Sequence, residues 1–129
     1  MRVLIVEDNA NTLEMLKTLL ERHGYQVDHA ATGRWARTML SLPPPDVVLL
    51  DLLLPADNGA ELLAEMRRCQ GWERVPAILE TAASDEDIAA LDVAHLAPVR
   101  VLRKPYDPEQ LLALLSQIEG GSQPSTTTS

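Results

Sequence analysis

A carboxylate pair, a lone carboxylate, a hydroxyl and an ammonium group each follow a separate apolar run of this chain: Glu7-Asp8, Asp51, Thr81 and Lys104. Three carboxylates held a few ångströms apart repel one another by several kcal/mol at an effective dielectric of about 20, and a divalent cation relieves that repulsion. Hard oxygen ligands and an incomplete shell favour Mg2+. With the cation in place, Asp51 can act as a nucleophile towards a phosphoryl group and form an acyl phosphate. Lys104 would neutralise charge on the transferring group, and Thr81 would donate its hydroxyl to a phosphoryl oxygen. Taken singly, each residue has an ordinary explanation as a cap, a strand residue or a turn opener. Their conjunction at the ends of four strands is what points to chemistry.

Those groups meet only if the strands that carry them lie side by side. Val47 to Leu50 is an apolar run of strand length, bounded by Pro43-Pro44-Pro45 before it and by Pro55 and Asn58-Gly59 after it. Val3 to Val6, Gln26 to Ala30, Val75 to Thr81 and Val99 to Leu102 read as four more strands, the second more polar and suited to a sheet edge. Between them lie helical patterns. Asn9 or Asn11 caps a helix with Leu13, Leu16 and Leu20 inward, Met15 and Leu19 off that stripe, and Gly24 at its end. Residues 33 to 42 read as a helix with Trp35, Met39 and Leu42 inward, and residues 60 to 70 as one with Leu62, Met66 and Cys69 on one side. Ser84-Asp85-Glu86-Asp87 opens another, its acids suiting the helix dipole better than a metal site. Pro108 starts a last helix that runs to about Ile118, with Leu111, Leu115 and Ile118 inward and Leu112 at the edge.

Five βα units with right-handed crossovers imply an α/β fold, a doubly wound five-stranded parallel sheet with helices on both faces. In the order 2-1-3-4-5, strands one and three are neighbours at the switch point, so Glu7, Asp8 and Asp51 converge on one pocket. The 129 residues suit one domain over 1–118, with 119–129 as a linker or tail rich in Gly, Ser and Thr. A net charge of −8 without a Lys/Arg cluster argues against direct nucleic-acid binding. No apolar run reaches membrane-spanning length and no signal-peptide pattern is visible, so a soluble cytoplasmic protein is expected. Cys69 and the isolated His23, His29 and His95 carry no ligand spacing.

Other chemistries of such folds lack their residues here. A dinucleotide site wants a glycine-rich first turn, and Glu7-Asp8-Asn9-Ala10-Asn11 has none; no Gly-Lys-Ser/Thr of a P-loop occurs. A phosphohydrolase with a strand-end aspartate pairs it with a second aspartate two residues on, where this chain has Leu53.

The motifs Glu7-Asp8, Asp51-x-x-x-Pro55-x-x-Asn58-Gly59, Thr81-Ala82 and Lys104-Pro105 closely resemble the receiver domain of bacterial two-component response regulators, over residues 2 to about 118. The resemblance implies a signalling switch in a phosphorelay, not a metabolic enzyme. Asp51 would accept a phosphoryl group from the phosphohistidine of a sensor histidine kinase or histidine phosphotransfer protein. It implies Mg2+ held by Asp8, Asp51 and the backbone carbonyl of Leu53, with Glu7 acting mainly through water. It also implies docking of the histidine-bearing helices through Met15 and Leu19, and output or homodimer contacts through the face of the fourth helix, fifth strand and last helix, where Leu112 is a lesser candidate. Three positions depart from the family pattern. Val101 stands where an aromatic usually switches, Glu80 stands at a commonly apolar strand position, and Asp57 replaces an apolar loop residue and would add negative potential at the pocket mouth. Tyr106 follows the lysine, where the family often has Phe, and is not assigned the switching role. Leu53 and Ala83 cannot orient water by hydrogen bonding, which implies a long-lived phosphoryl state. Val101 and Glu80 motivate a rival reading, a pseudo-receiver that binds partners without phosphorylation.

Overall fold

The computed structural model describes residues 1–54, 57–82, 86 and 93–120. Five parallel strands, β1 (Arg2–Val6), β2 (Gln26–Ala30), β3 (Val47–Asp51), β4 (Ala77–Thr81) and β5 (Val99–Arg103), lie in the order β2-β1-β3-β4-β5. This is the expected arrangement, with β4 starting two residues later than Val75 because Pro76, which has no N–H to donate, precedes it.

Alternation along the strands sorts their side chains between two cores. Leu4, Val6, Val48, Leu50 and Leu79 face one side, where α3 (Gly59–Arg67) packs Leu62, Leu63 and Met66 onto them. Val3, Ile5, Val47, Leu49 and Ile78 face the other, against Leu16 and Leu20 of α1 (Ala10–Arg22) and Leu111 and Leu115 of the C-terminal helix α4 (Pro108–Glu119). Every residue of β3 and β4 is buried, as a central parallel strand covered on both faces requires. Among the described residues no helix is long and apolar enough to cross a membrane. The acid-rich helix start at residues 84–87, Pro55 and the tail fall largely or wholly outside the described residues.

The second helix differs from expectation. α2 spans only Gly33–Thr38 and tightens into a 3-10 turn, Met39–Ser41. Its buried face is Gly33 and Ala36, while Trp35 is 50 % exposed and Leu42 57 % exposed. A short helix held close to the sheet has room for small residues beneath it, so Trp35 is turned outward and tilts against the His29 ring at 6.0 Å. The core tryptophan is Trp72, which is 1 % exposed and donates its indole N–H to the Leu42 carbonyl at 3.4 Å. It enters from the polar segment Gln70-Gly71-Trp72-Glu73, where Gly71 at φ +91° makes the turn. Arg67 fastens the same region by donating to the carbonyls of Leu96, Trp72 and Pro98 at 2.8, 3.0 and 2.9 Å.

Candidate functional site

The pocket lies at the C-terminal edge of the sheet, where β1 and β3 are adjacent. β1 delivers Glu7 and Asp8, the first 2 % exposed and the second open to solvent. The chain then turns at once into α1, capped by Asn9, whose side chain accepts the Thr12 N–H at 2.9 Å. Asn9 also donates its backbone N–H to Glu7 Oε2 at 3.1 Å. β3 delivers Asp51, 7 % exposed, with Oδ1 accepting the Leu53 N–H at 2.9 Å and Oδ2 accepting from Lys104 Nζ at 3.1 Å. Carboxylate oxygens of Glu7, Asp8 and Asp51 all lie within 4.8 Å of one another.

β4 ends in Thr81, 1 % exposed, and the backbone N–H of Lys104 donates to the Thr81 carbonyl at 2.7 Å. That bond joins the two strand ends that carry the hydroxyl and the ammonium. Lys104 also lies 3.9 Å from Glu7 Oε1. Burial alone would lower the Lys104 pKa, but the hydrogen bond to Asp51 and the surrounding acids outweigh it and hold the value above the ordinary lysine range. Burial dominates at Glu7 and raises its pKa against the opposing pull of the Asn9 N–H and Lys104.

The loop after Asp51 returns quickly. Leu53–Leu54 pairs antiparallel with Asp57–Asn58, and Asn58 caps α3 by accepting from the N–H groups of Ala60 and Glu61 at 2.8 and 3.2 Å. Gly59 is required by close approach: a Cβ there would meet the Asp51 carbonyl oxygen at 2.5 Å and the Leu52 Cα at 2.8 Å. The side chain of Leu53 is 70 % exposed at the mouth of the pocket. Ala83, the other residue expected to govern water access, lies outside the described residues.

Every candidate site residue from the sequence is thus gathered at this edge: Glu7, Asp8, Asp51, Leu53, Thr81 and Lys104. Beside them Met15, Leu19, Pro105, Tyr106 and Pro108 line an apolar groove of about 550 Å³. Met15 is 59 % exposed on α1, consistent with its place off the inner stripe. Val101 is half-buried.

The two acids that stand at commonly apolar positions, Asp57 and Glu80, each find a partner in the fold. Asp57 does not project free charge over the pocket, because Arg37 of α2 donates to it at 2.6 and 3.2 Å and also holds Glu65 of α3 at 2.6 Å. That guanidinium keeps both carboxyls below the ordinary carboxylate range. Glu80, 1 % exposed, has its Oε2 hydrogen-bonded by the Tyr106 hydroxyl. Burial raises the pKa of both partners of that pair. Sequence reasoning flagged Glu80 and Tyr106 separately, and missed Arg37 altogether.

The chain matches the response regulator receiver domain over residues 3–116. It belongs to that family. It is 38% identical over 119 residues to the alginate biosynthesis transcriptional regulatory protein AlgB of Pseudomonas aeruginosa, covering 92% of this chain and 26% of that protein. The receiver thus spans about a quarter of the length of that relative. In structure it is similar to the signal receiver domain of a signal transduction histidine kinase from Syntrophus aciditrophicus, with a TM-score of 0.83, 30% identity and coverage of 98% and 96% of the two chains. It is also similar to the receiver domain of the sensor histidine kinase PA1611 from Pseudomonas aeruginosa, crystallised with a magnesium ion coordinated in its active-site cleft. The TM-score there is 0.83, with 27% identity and coverage of 93% and 98%.

Whether this receiver's own residues suit such an ion is answered by the donor set. Three carboxylates converge, and Glu7 Oε1 is buried with no hydrogen-bond partner among the described residues. A hard divalent cation supplies what both observations call for.

Proposed function

We propose that this receiver, residues 1–118, accepts a phosphoryl group on Asp51 from the phosphohistidine of a sensor histidine kinase or phosphotransfer protein, acting in the cytoplasm. The observation that carries the reading is the Lys104 ammonium 3.1 Å from Asp51 Oδ2, beside three acids within 4.8 Å of one another. A carboxylate oxygen of Asp51 attacks phosphorus, the phosphorus–nitrogen bond to the donor imidazole breaks, and the imidazole leaves with the electron pair. The Leu53 N–H holds Asp51 Oδ1, which orients the carboxylate for attack. Lys104 and the Thr81 hydroxyl take up charge on the transferring oxygens. Glu7, Asp8, Asp51 and the Leu53 carbonyl would hold Mg2+, which supplies neutralisation of negative charge when bound. The protein assists only its own phosphorylation and dephosphorylation. The groove beside Met15 and Leu19 is the right place for the donor's helix, because it opens onto the residues flanking Lys104.

Incubation with Mg2+ and acetyl phosphate should add one phosphoryl group, detected by intact mass, and Asp51→Asn should abolish it. Equal labelling of both proteins would overturn the assignment. The rival reading, a partner-binding pseudo-receiver, draws on half-buried Val101 in place of a switching aromatic. A melting temperature unmoved by millimolar Mg2+ would favour that rival.

A further inference from the structure

Glu80 sits on β4 directly beside Asp51 in the sheet register and is 1 % exposed. One of its oxygens, Oε2, accepts from the Tyr106 hydroxyl; the other, Oε1, is buried with no hydrogen-bond partner among the described residues. Counting Glu80, four carboxylates crowd this edge of the sheet, and three of them, Asp51, Glu7 and Glu80, act on the ammonium of Lys104. Lys104 already lies 3.1 Å from Asp51 and 3.9 Å from Glu7, and the charge of Glu80 acts on it as well. A buried carboxylate without a donor draws the nearest cation towards it, since leaving it unpaired in a low dielectric is the costlier state.

Tyr106 is two residues beyond Lys104, on the same turn, and its half-buried ring packs against the core cluster to which α1 and α4 contribute. Its hydroxyl therefore reaches Glu80 from the turn that also aims Lys104. We propose that Tyr106 is a positioning residue: by donating to Glu80 it removes that acid from competition and keeps the Lys104 ammonium on Asp51. Tyr106 touches neither the phosphoryl group nor Asp51 in this role. The inference rests on Asp51 being the phosphoacceptor. It also explains why a glutamate is tolerated inside β4, because a phenol at position 106 supplies the donor that a phenylalanine would not.

The test is a time course of labelling by acetyl phosphate with Mg2+, with melting temperatures recorded for each variant. Tyr106→Phe should label about tenfold more slowly, the size of effect expected when one hydrogen bond to a charged group is lost. Adding Glu80→Val to that variant removes the competitor and should return the rate to near the wild-type value. Glu80→Gln, which keeps the shape and the accepting oxygen, should label at the wild-type rate or faster. Wild-type labelling by Tyr106→Phe, a double variant as slow as Tyr106→Phe, or slow labelling by Glu80→Gln would each overturn the proposal. A merely structural role for Tyr106 would follow the melting temperature and would not be rescued by the second change. Should the wild type itself fail to label, the phosphoacceptor reading falls, and the Lys104 position in a Tyr106→Phe crystal structure decides the inference. Displacement of Nζ from Asp51 supports it; a distance unchanged from 3.1 Å overturns it.

Discussion

Asp57 and Glu80 both put a carboxylate where an apolar side chain would be ordinary, and the fold handles them in opposite ways. Asp57, on the loop at the edge of the pocket, is matched by a full positive charge from Arg37 and stays ionised. Glu80, inside the sheet, is matched by a neutral hydroxyl, and burial raises its pKa above the ordinary carboxylate value. The difference follows from position. At a half-open site a guanidinium keeps part of its hydration while it clamps two acids, whereas in the sheet interior a second charge would itself have to be desolvated. Pairing by charge suits the rim, and pairing by hydrogen bond suits the core.

The largest expected effect from breaking this contrast is at Arg37. Arg37→Ala strips both Asp57 and Glu65 of their partner and should destabilise the protein by roughly 2 kcal/mol after solvent screening is allowed for, read as a lower urea midpoint. Replacing the interior pair by Glu80→Val with Tyr106→Phe should do the reverse, raising stability by about 1 kcal/mol at neutral pH, because well-packed apolar groups replace a buried polar pair. A loss of stability in that double variant would show the pair to be a net structural gain.

A smaller signature is the pH slope. The folded pKa of Asp57 is depressed, so its contribution is present above the ordinary carboxylate value and fades as pH falls through the depressed one. The advantage of wild type over Asp57→Asn should therefore shrink in acid. The folded pKa of Glu80 is raised, so any stability it contributes is present below the ordinary value and is lost as pH rises through the raised one. Glu80→Gln should gain on wild type as pH rises from about 4 to 7. Parallel slopes for the two variants would erase the distinction between rim and core.

How much of this was legible beforehand depends on the range of the interaction. The strands were readable because apolar runs and prolines act locally, and strand order followed once five βα units were recognised. The pocket was readable because its residues sit at strand ends, where topology alone gathers them. Trp35 and Trp72 were not, since periodicity assigned the first inward while the second lay in a polar segment with no period at all. The Arg37 clamp joins α2 to the loop and α3, and the Tyr106 hydroxyl joins a turn to β4; both depend on side-chain reach across elements, which a linear pattern does not encode. A lone glutamate in a strand beside a tyrosine past the lysine was the available signal for the second of these.

Gly59 carries a consequence for anyone reading other chains. With the Asp51 carbonyl oxygen only 2.5 Å from where a methyl group would begin, the loop admits no side chain at that position without moving the peptide that bears the acceptor. In a saturation library covering residue 59, glycine alone should survive a screen for labelling, and a homologue carrying anything larger there must have built its acceptor loop by another route.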